Sequence, residues 1–253
     1  MRIALISDIH LEYNAKNIMQ KVLGKIPRAD ILVCAGDIGN PFERSYKNFL
    51  SKNKKLYKTI IVIPGNHEYY DTSEALAMNQ PRSMKETENQ IKRVCDDVGV
   101  VFLQKDIFDV GDIRFYGCTL WGNPTETEGE RHWFERYDYK HISDLNTVKD
   151  YMKLHIDHRN WLKGELAKPT SQRKIALTHH IPSYELVESR YKGSSRNGYY
   201  ASNCDDLVDQ VEVWLAGHTH HYIFQDLRST RIFCNPVGYP WEVMSYKPTI
   251  LEI

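Results

Sequence analysis

The stretch Thr59–Tyr70, TIIVIPGNHEYY, joins a strand-like apolar run to a polar ending. Its β-branched residues predict a buried strand, and the Pro-Gly pair that follows is a frequent start of a turn. The turn then carries an amide, an imidazole and a carboxylate in Asn66, His67 and Glu68. One polar strand end is usually a cap or a turn, so the interpretation depends on whether other strands end in the same way.

Four further apolar runs end in the same chemistry. They are Ile3–Ile6 before Asp8 and His10, Ile31–Ala35 before Asp37, Ile175–Leu177 before His179 and His180, and Val211–Ala216 before His218 and His220. In an open α/β sheet, the carboxyl ends of parallel strands lie along one edge, where ligand crevices form. Because all five predicted strands end in polar residues of this kind, we expect these residues to form one common site rather than unrelated turns.

Strand geometry predicts how two of these endings hold their polar groups. Successive strand residues alternate between faces, so Asp8 and His10 are expected on the same side, about 6.6 Å apart along the strand. The same geometry is expected for His218 and His220. Imidazole nitrogens combined with carboxylate or amide oxygens suit Mn, Fe and Zn, whereas a pure oxygen set suggests Mg or Ca. The pattern therefore indicates a metal cluster at this edge of the sheet.

The order of the predicted elements indicates an α/β protein. Asp8, Asp37 and Asn66 are spaced 29 residues apart, which matches a βαβ unit of about 30 residues. We expect these strands to be parallel and buried on both faces. A helical pattern follows over Thr72–Val98 and then strands of a meander, with a tight turn at the Gly-Asp pair that starts at Gly111.

The second half of the chain contains a helical segment and a return to strands. Residues 125–168 have apolar positions at helical spacing and are expected to form a helical insertion that partly covers the core. The runs KIALT, VEVWLAG, IFQDLR, RIFCN and TILEI predict strands. No Pro/Gly/Ser-rich linker divides the chain, so residues 1–253 are expected to form a single domain.

Composition restricts the function classes. The 253 residues include 33 basic and 33 acidic side chains, and zero net charge removes the global attraction expected of a dedicated nucleic-acid or membrane-surface binder. The start MRIALISDIH lacks a full apolar leader and a small-residue cleavage site, and no apolar run is long enough to span a bilayer. We therefore expect a cytoplasmic protein without membrane association. The five cysteines form no Cys-x-x-Cys pair and are expected to be reduced thiols.

With DIH, GD, GNHE, THH and GHTH in this order, the sequence resembles the calcineurin-like metallophosphoesterase superfamily, whose pattern is D-x-H, G-D, G-N-H-D/E, H and G-H-x-H. The motifs run from Asp8 to His220, so the resemblance covers most of the chain. It implies a four-layer α/β/β/α sandwich of two mixed β-sheets flanked by helices. It also implies a dinuclear metal centre at the upper edge of the sheets.

The resemblance assigns roles to individual residues. The expected ligands are Asp8, His10 and His220 for the first metal and Asn66, His179 and His218 for the second, with Asp37 bridging both. His67 would stand beside the phosphate without binding metal, and Glu68 would support the turn. His180 is the alternative to His179, which we prefer because it comes first after its strand.

Three shorter segments indicate which subgroup of the superfamily the sequence resembles. TLW, HHIPS and NPVGYP are similar to segments of a small uncharacterised group of bacterial and phage members. The last segment usually reads NPRGYP in that group, so Val237 removes the phosphate contact that the arginine would offer. The adjacent Tyr69 and Tyr70 are expected to pack in the core rather than to stack on a substrate.

Such a centre implies a metal-dependent hydrolase of phosphate esters, either a phosphodiesterase or a phosphomonoesterase. Two cations about 3.5 to 4 Å apart neutralise phosphate charge and ionise a shared water, so that a bridging hydroxide can attack phosphorus in line. Asp37 would bridge the cations, and His67 would donate a proton to the leaving oxygen. We expect two divalent ions, manganese first, with iron, zinc or nickel as alternatives.

Loops around a shared centre choose the substrate, so the sequence is less informative here. The loop over residues 189–203 carries the basic and aromatic residues Arg190, Tyr191, Lys192, Arg196, Tyr199 and Tyr200. It forms either a cationic, stacking rim for a nucleotide or a solvated mobile loop. We expect a small phosphate ester or nucleotide as substrate; a nucleic acid is not favoured, and the oligomeric state is open. The alternative is a catalytically weak member that acts as an interaction or binding module, although such a protein should lack some of the ligands.

Overall fold

Two mixed β-sheets form the centre of the molecule. The computed structural model describes residues 1–13, 22, 24–71, 80–242 and 246–253. The first sheet contains β1 (Arg2–Ile6), β2 (Ile31–Ala35), β3 (Thr59–Ile63), β4 (Val101–Phe102) and β11 (Ile250–Glu252). The second sheet contains β5 (Asp106–Val110), β6 (Ile113–Cys118), β7 (Arg173–Thr178), β8 (Val213–Ala216), β9 (Ile223–Leu227) and β10 (Thr230–Cys234). Their orders are β11-β1-β2-β3-β4 and β5-β6-β7-β8-β10-β9.

The strand pairing supports the βαβ interpretation of the first third of the chain. Strands β1 to β4 are parallel, and β11 pairs antiparallel with β1. In the second sheet β6, β7, β8 and β10 are parallel, and the edge strands β5 and β9 are antiparallel to their neighbours. The carboxyl ends of the parallel strands of each sheet therefore share one edge.

The predicted meander is only partly correct. Strands β5 and β6 form the expected hairpin, in which Gly111 has a φ of +61° at the turn. Strand β4, however, pairs in parallel with β3 in the first sheet, and TLW follows β6 outside any strand. Lys105, with a φ of +52°, lies between β4 and β5 where the chain passes from one sheet to the other.

Helices cover the outer faces of both sheets. The named helices of the described residues are α1 (Arg44–Lys54), α2 (Met84–Val98), α3 (Glu126–His132), α4 (Tyr137–His141), α5 (Val148–Leu166) and α6 (Asp205–Val208). The outer face of the first sheet packs against α1 and α2, and that of the second sheet packs against α5 and α6. Phe49 of α1 and Ile91 of α2 pack with Ile6 on one outer face, and Leu162 of α5 packs with Ala176 on the other. Helix α2 begins after a capping box at Ser83, and the earlier part of the predicted helix, residues 72–79, lies outside the described residues.

Period-2 alternation explains the four layers. In β1, Leu5 packs between the sheets against the second sheet's Leu177 and Leu215, whereas Ile6 faces the helices. Both faces of the central parallel strands, such as β1, β2, β3 and β8, are thus buried, as expected for parallel strands. Together with the helices this arrangement confirms the predicted α/β/β/α sandwich of two mixed sheets.

Residues 125–168 contain three helices that pack beside the common strand edge. An aromatic cluster that includes Trp121, Trp133, Tyr151 and Tyr199 connects this segment to the loop over residues 189–203. All five cysteines are buried free thiols. In the described part of the chain, no helix has both the length and the apolar composition that crossing a membrane would require.

Candidate metal centre

All seven predicted metal ligands lie in loops that follow the carboxyl ends of strands. Asp8 and His10 follow β1, Asp37 follows β2, Asn66 follows β3, His179 follows β7, and His218 and His220 follow β8. The first five are at most 3% exposed, and the two histidines after β8 are partly buried. Short contacts connect the seven side chains into one cluster, which we call the candidate metal centre.

Asp8, His10 and His220 form one half of the candidate metal centre. His10 Nε2 lies 3.0 Å from His220 Nε2, and His220 Nε2 lies 3.5 Å from Asp8 Oδ1. One ligand atom from each residue lies within 4.8 Å of the other two. Such a spacing allows the three side chains to share one ion.

Asp37, Asn66, His179 and His218 form the other half. His179 Nε2 lies 3.2 Å from both Asp37 Oδ2 and Asn66 Oδ1. Ligand atoms of Asp37, His179 and His218 again lie within 4.8 Å of one another. Asp37 Oδ2 also lies 3.9 Å from His10 Nε2, so a single carboxylate oxygen faces both halves.

Loop backbone, rather than strand alternation, directs these side chains. Because β1 ends at Ile6 and β8 at Ala216, the prediction that the Asp-x-His and His-x-His pairs lie along strands is wrong. The five residues Asp8, His10, Asp37, His218 and His220 have left-handed φ angles between 49° and 70°. Asp and His tolerate this region better than most residues, and strained backbone of this kind clusters at functional sites.

The motif glycines are required by the close approach of these loops. A Cβ atom on Gly65 would lie 2.1 Å from Asp37 Oδ1, and one on Gly36 would lie 2.4 Å from His179 Nδ1. Gly36 also has a φ of +85°. Glycine before Asp37 and before the Asn-His pair therefore allows the two halves of the centre to meet.

Each of the four histidines predicted as ligands has its other ring nitrogen in contact with an oxygen. The contacts are His10 Nδ1 to Glu12 Oε1 at 3.0 Å, His179 Nδ1 to the Ala35 carbonyl at 2.8 Å, His218 Nε2 to the Tyr199 carbonyl at 3.1 Å, and His220 Nδ1 to Glu242 Oε2 at 2.6 Å. Carbonyl and carboxylate oxygens only accept, so these ring nitrogens donate. In neutral rings the remaining nitrogens keep lone pairs that face the centre, as is usual for metal-binding histidines.

The contact between His10 and His220 indicates directly that the site suits a cation. Burial raises the pKa of Glu12, but hydrogen bonds from His10 and His67 outweigh it and lower the pKa to about 2, so this carboxylate is ionised. With both Nδ1 atoms donating to carboxylates, two Nε2 atoms face each other at 3.0 Å. They attract each other only if a cation is shared, which is a proton in the metal-free protein or a metal ion.

The structure brings His179, and not His180, to the candidate metal centre. Burial lowers the pKa of His179, but the charge of Asp37 outweighs it and raises the pKa to about 9. His180 instead packs its ring 4.0 Å from the ring of His218 and lies 3.5 Å from the Tyr151 hydroxyl. The Asp37 carboxylate, whose negative charge would attract a divalent ion, thus lies beside His179, at 3.2 Å from its Nε2.

A family model for calcineurin-like phosphoesterases matches residues 1–222. The chain belongs to the calcineurin-like phosphoesterase family. It is 29% identical to uncharacterized protein L509 of Acanthamoeba polyphaga mimivirus, over 96% of this chain and 93% of that protein. Its fold is similar to that of the phosphopantetheinyl hydrolase PptH of Mycobacterium tuberculosis, with a TM-score of 0.71 and 17% identity over 94% of this chain and 89% of that one.

The family assignment confirms the resemblance predicted from the five motifs. Members of this family typically bind divalent metals, and the present chain has clustered Asp and His groups that can do so. The likeness to PptH concerns the fold alone.

In this calcineurin-like phosphoesterase, His67 lies beside the candidate metal centre. Its Nδ1 is 3.1 Å from Glu12 Oε1, its Nε2 is 3.2 Å from the Tyr239 hydroxyl, and its backbone N–H donates to Asp37 Oδ1 at 2.8 Å. Burial lowers the pKa of His67, but the charges of Asp37 and Glu12 outweigh it and raise the pKa. The imidazole therefore tends to retain a proton next to the phosphate position that the resemblance implies.

Asp138 and Tyr70 determine how the Asn66 amide is turned. Asn66 Nδ2 donates to Asp138 Oδ1 and to the Tyr70 hydroxyl, both at 2.9 Å, and the Tyr70 hydroxyl donates to the same carboxylate oxygen at 2.9 Å. A carboxylate accepts only, so the amide nitrogen must face it and Oδ1 must face His179. Tyr69 is buried in the core, as expected, whereas Tyr70 orients a predicted ligand.

Glu68 ties the loop after β3 to the loop after β2. Its carboxylate accepts hydrogen bonds from the backbone N–H groups of Asp37 and Gly65, at 2.9 and 2.7 Å, and from that of Ile38 at 2.7 Å. Burial and the charge of Asp37 raise the pKa of Glu68, while the N–H donors oppose this rise. Glu68 therefore supports the turn, as predicted, and its side chain also holds the backbone of Asp37 in place.

A cavity of about 620 Å³ opens over the candidate metal centre. The loop over residues 189–203 contributes Tyr191, Arg196 and Tyr200 to its wall, and the segment 125–168 contributes Glu135, Arg136 and Tyr137. Of the other predicted rim residues, Arg190 and Lys192 do not line it. Tyr199 is buried beneath it, where its carbonyl accepts from His218.

Several residues of the site were missed by sequence reasoning. Glu12 lies two residues after His10, and Glu242 lies three residues after Tyr239. For these two, the available signal in the sequence was an acidic residue next to a motif. Asp138 lies in a segment without any motif and offers no local signal. Val237 is only 1% exposed and packs in the core, so it makes no contact with the cavity.

Proposed function

We propose that this chain hydrolyses phosphate esters with a dinuclear centre of divalent metal ions. The ligands in this proposal are Asp8, His10 and His220 for one ion, Asn66, His179 and His218 for the other, and Asp37 for both. The observation that carries the proposal is that Asp37 Oδ2 faces His10 at 3.9 Å and His179 at 3.2 Å. A carboxylate in that position can hold two cations close together, which a neutral amide could not do as well.

Two bound divalent ions would neutralise phosphate charge and lower the pKa of a shared water towards neutrality. The protein's own contribution is to hold the donors in place before any ligand arrives. Asp8 is fixed by the backbone N–H of His218, at 2.9 Å from Oδ1. Asn66 adds an oxygen donor without adding charge, so the two halves differ in charge.

His67 is the proposed proton donor to the leaving oxygen. Its Nδ1 faces Glu12, and its Nε2 faces the cavity beside the Tyr239 hydroxyl. Its raised pKa favours the protonated ring, which is the form that can donate. Proton transfer by a positioned side chain typically contributes 10²- to 10⁴-fold to a rate.

We propose a small phosphate ester or a nucleotide as the substrate. The cavity volume of about 620 Å³ lies within the range of about 300–1,000 Å³ that is common for small-molecule sites. Tyr137, Tyr191 and Tyr200 line it and offer aromatic surface next to the metal ligands. Zero net charge gives no global attraction for a long polyanion, so a nucleic acid is not favoured.

The test is a hydrolysis panel on metal-stripped protein that has been reloaded with Mn, Fe, Zn or Ni. The panel contains mono- and diester model substrates and nucleotides. We expect turnover with at least one metal, manganese first, and two bound ions per chain. In Asp37→Asn, metal and turnover should be lost together, whereas Asp226→Asn, at an exposed position of β9, should match the wild type. Two bound ions without turnover of any ester would favour a binding module instead.

A further inference from the structure

Arg136 lies in the wall of the cavity with an incompletely paired guanidinium. Its side chain is only 16% exposed. Nη1 donates to the Tyr200 hydroxyl at 3.4 Å, and Nε is buried without a hydrogen-bond partner among the described residues. Asp138 Oδ2 is the nearest carboxylate oxygen, at 4.0 Å from Nε. A guanidinium has five N–H donors, so most of the donors of Arg136 are available to a ligand.

Contacts on two sides place Arg136 next to one half of the candidate metal centre. Asp138, whose other oxygen binds Asn66 at 2.9 Å, lies between Arg136 and Asn66. Tyr200 lies between Arg136 and His218, with its ring centroid 5.2 Å from that of His218. Both sets of contacts end on residues that we assign to the second ion.

The other arginine of the cavity wall is already neutralised. Arg196 Nη2 lies 2.7 Å from Glu135 Oε2 in a close ion pair. Arg136 has no carboxylate at such a distance among the described residues. Asp138 Oδ2, at 4.0 Å from Nε, compensates the charge of Arg136 only in part, because the other oxygen of that carboxylate accepts hydrogen bonds from Asn66 and Tyr70. An additional anion between the guanidinium and a centre for divalent cations would therefore be favourable.

We propose that Arg136 binds the phosphate group of the substrate and favours phosphomonoesters over phosphodiesters. A monoester carries close to two negative charges at neutral pH, because its second pKa is about 6, whereas a diester carries one. The additional charged oxygen is the group that a guanidinium binds best, through charge-assisted hydrogen bonds. This assignment rests on the proposed function and narrows its substrate class from phosphate esters in general to phosphomonoesters.

A purely structural role for Arg136 makes different predictions. The guanidinium also packs over the rings of Tyr199 and Tyr200, at 4.7 and 5.1 Å from their centroids, and balances the charge of Asp138. If that were its main role, removing it would disturb Asn66 through Asp138 and reduce metal binding. Monoester and diester hydrolysis would then fall by the same factor.

The experiment compares wild type, Arg136→Met, Arg136→Lys and the control Arg131→Met, which changes an exposed residue of α3 in the same segment. Four quantities are measured: bound metal per chain, the Kd of inorganic phosphate for the metal-loaded protein, and kcat/KM for 4-nitrophenyl phosphate and for bis(4-nitrophenyl) phosphate. For Arg136→Met we expect unchanged metal content and phosphate binding weakened by about 10- to 150-fold, the range for hydrogen bonds to charged groups. Monoester kcat/KM should fall by a similar factor and diester kcat/KM by much less.

Arg136→Lys keeps the charge without the planar fork and should lie between wild type and Arg136→Met. It also serves as the test if the methionine variant does not fold. Unchanged phosphate affinity in both variants, a parallel loss of metal, or equal losses for the two esters would overturn the proposal. Absence of turnover in the wild type would refute the proposed function but not the role of Arg136 in phosphate binding. That role is tested separately by the Kd of inorganic phosphate in wild type and variants.

Discussion

Replacement of Asp138 by alanine should weaken the second metal site without touching any predicted ligand. The carboxylate lies 2.9 Å from Asn66 Nδ2, and a reversed amide would place two oxygens at that distance. Asp138 therefore selects the orientation in which Oδ1 lies 3.2 Å from His179 Nε2. Without it, the Tyr70 hydroxyl becomes free to donate, and it can then bind either end of the amide.

The expected loss of metal affinity can be estimated from the hydrogen bond between Asn66 and the charged Asp138 carboxylate. Hydrogen bonds to charged groups contribute about 1.5–3 kcal/mol, which corresponds to roughly 10- to 150-fold in the preference for one amide orientation. Loss of a residue that orients a metal ligand typically costs about 10- to 100-fold in metal affinity. We therefore expect Asp138→Ala to bind the first ion normally and the second about 10- to 100-fold more weakly.

Graded controls separate this effect from damage to α4. Tyr70→Phe removes the neutral hydrogen bond that Asn66 donates to the Tyr70 hydroxyl but keeps Asp138 as the partner of the amide nitrogen. A neutral hydrogen bond contributes about 0.5–1.5 kcal/mol, so the loss in affinity for the second ion should be only about 2- to 12-fold. Lys140→Ala changes an exposed residue of the same helix and should match the wild type. Calorimetric titration of metal-stripped protein with Mn²⁺ gives both affinities, and near-UV circular dichroism checks the fold. Two ions bound with wild-type affinity in Asp138→Ala would refute the role assigned to this carboxylate.

Three further perturbations test the rest of the site. Gly65→Ala should abolish stable metal binding measured after dialysis, because its Cβ would lie 2.1 Å from Asp37 Oδ1, whereas Gly164→Ala meets nothing within 4 Å and should bind normally. His67→Ala should keep both ions but slow turnover by about 10²-fold or more, and an unchanged rate on an ester with a poor leaving group would count against its role as acid. Metal affinity should rise with pH up to about 9, because a proton must leave His179, whose pKa is raised to about 9 when no ion is bound. The expected slope is about tenfold per pH unit for one released proton, which calorimetry in two buffers of different ionisation heat would count, and a flat profile would contradict it.

The sequence predicted the strands and the identity of the clustered residues more successfully than the local geometry. Buried strands such as β2 are recognisable because a run of five consecutive apolar residues is typical of a parallel strand that is buried on both faces. The division into two sheets came only from the family resemblance, since no residue pattern separates β4 from the strands of the second sheet. For the same reason β4 was assigned to a meander.

Long-range side-chain contacts account for most of what the sequence could not predict. Asn66 and Asp138 are 72 positions apart, and a single aspartate in a charged helical segment has no periodicity that would indicate its partner. The left-handed residues were missed for a different reason. In the sequence, Asp8 and His10 directly follow the apolar run of β1, and no residue pattern marks the end of the strand. The end becomes visible only in the structure, where the backbone of Asp8 and His10 bonds to the loop after β2.

Those cross-loop bonds indicate that protein contacts alone hold the loops of the candidate metal centre in place. A left-handed non-glycine residue costs on the order of 1 kcal/mol or more, so it persists only where neighbouring structure imposes it. Here the backbone N–H of His10 donates to the Asp37 carbonyl at 3.0 Å, and that of Gly238 donates to the Asp8 carbonyl at 3.0 Å. The Asp8 side chain in turn accepts from the His218 backbone. Because protein bonds hold these loops, ion binding need not order them, unlike in small zinc domains that fold only with metal. Differences in affinity among Mn, Fe, Zn and Ni should then follow the intrinsic preference of the nitrogen and oxygen donors rather than rearrangement of the backbone.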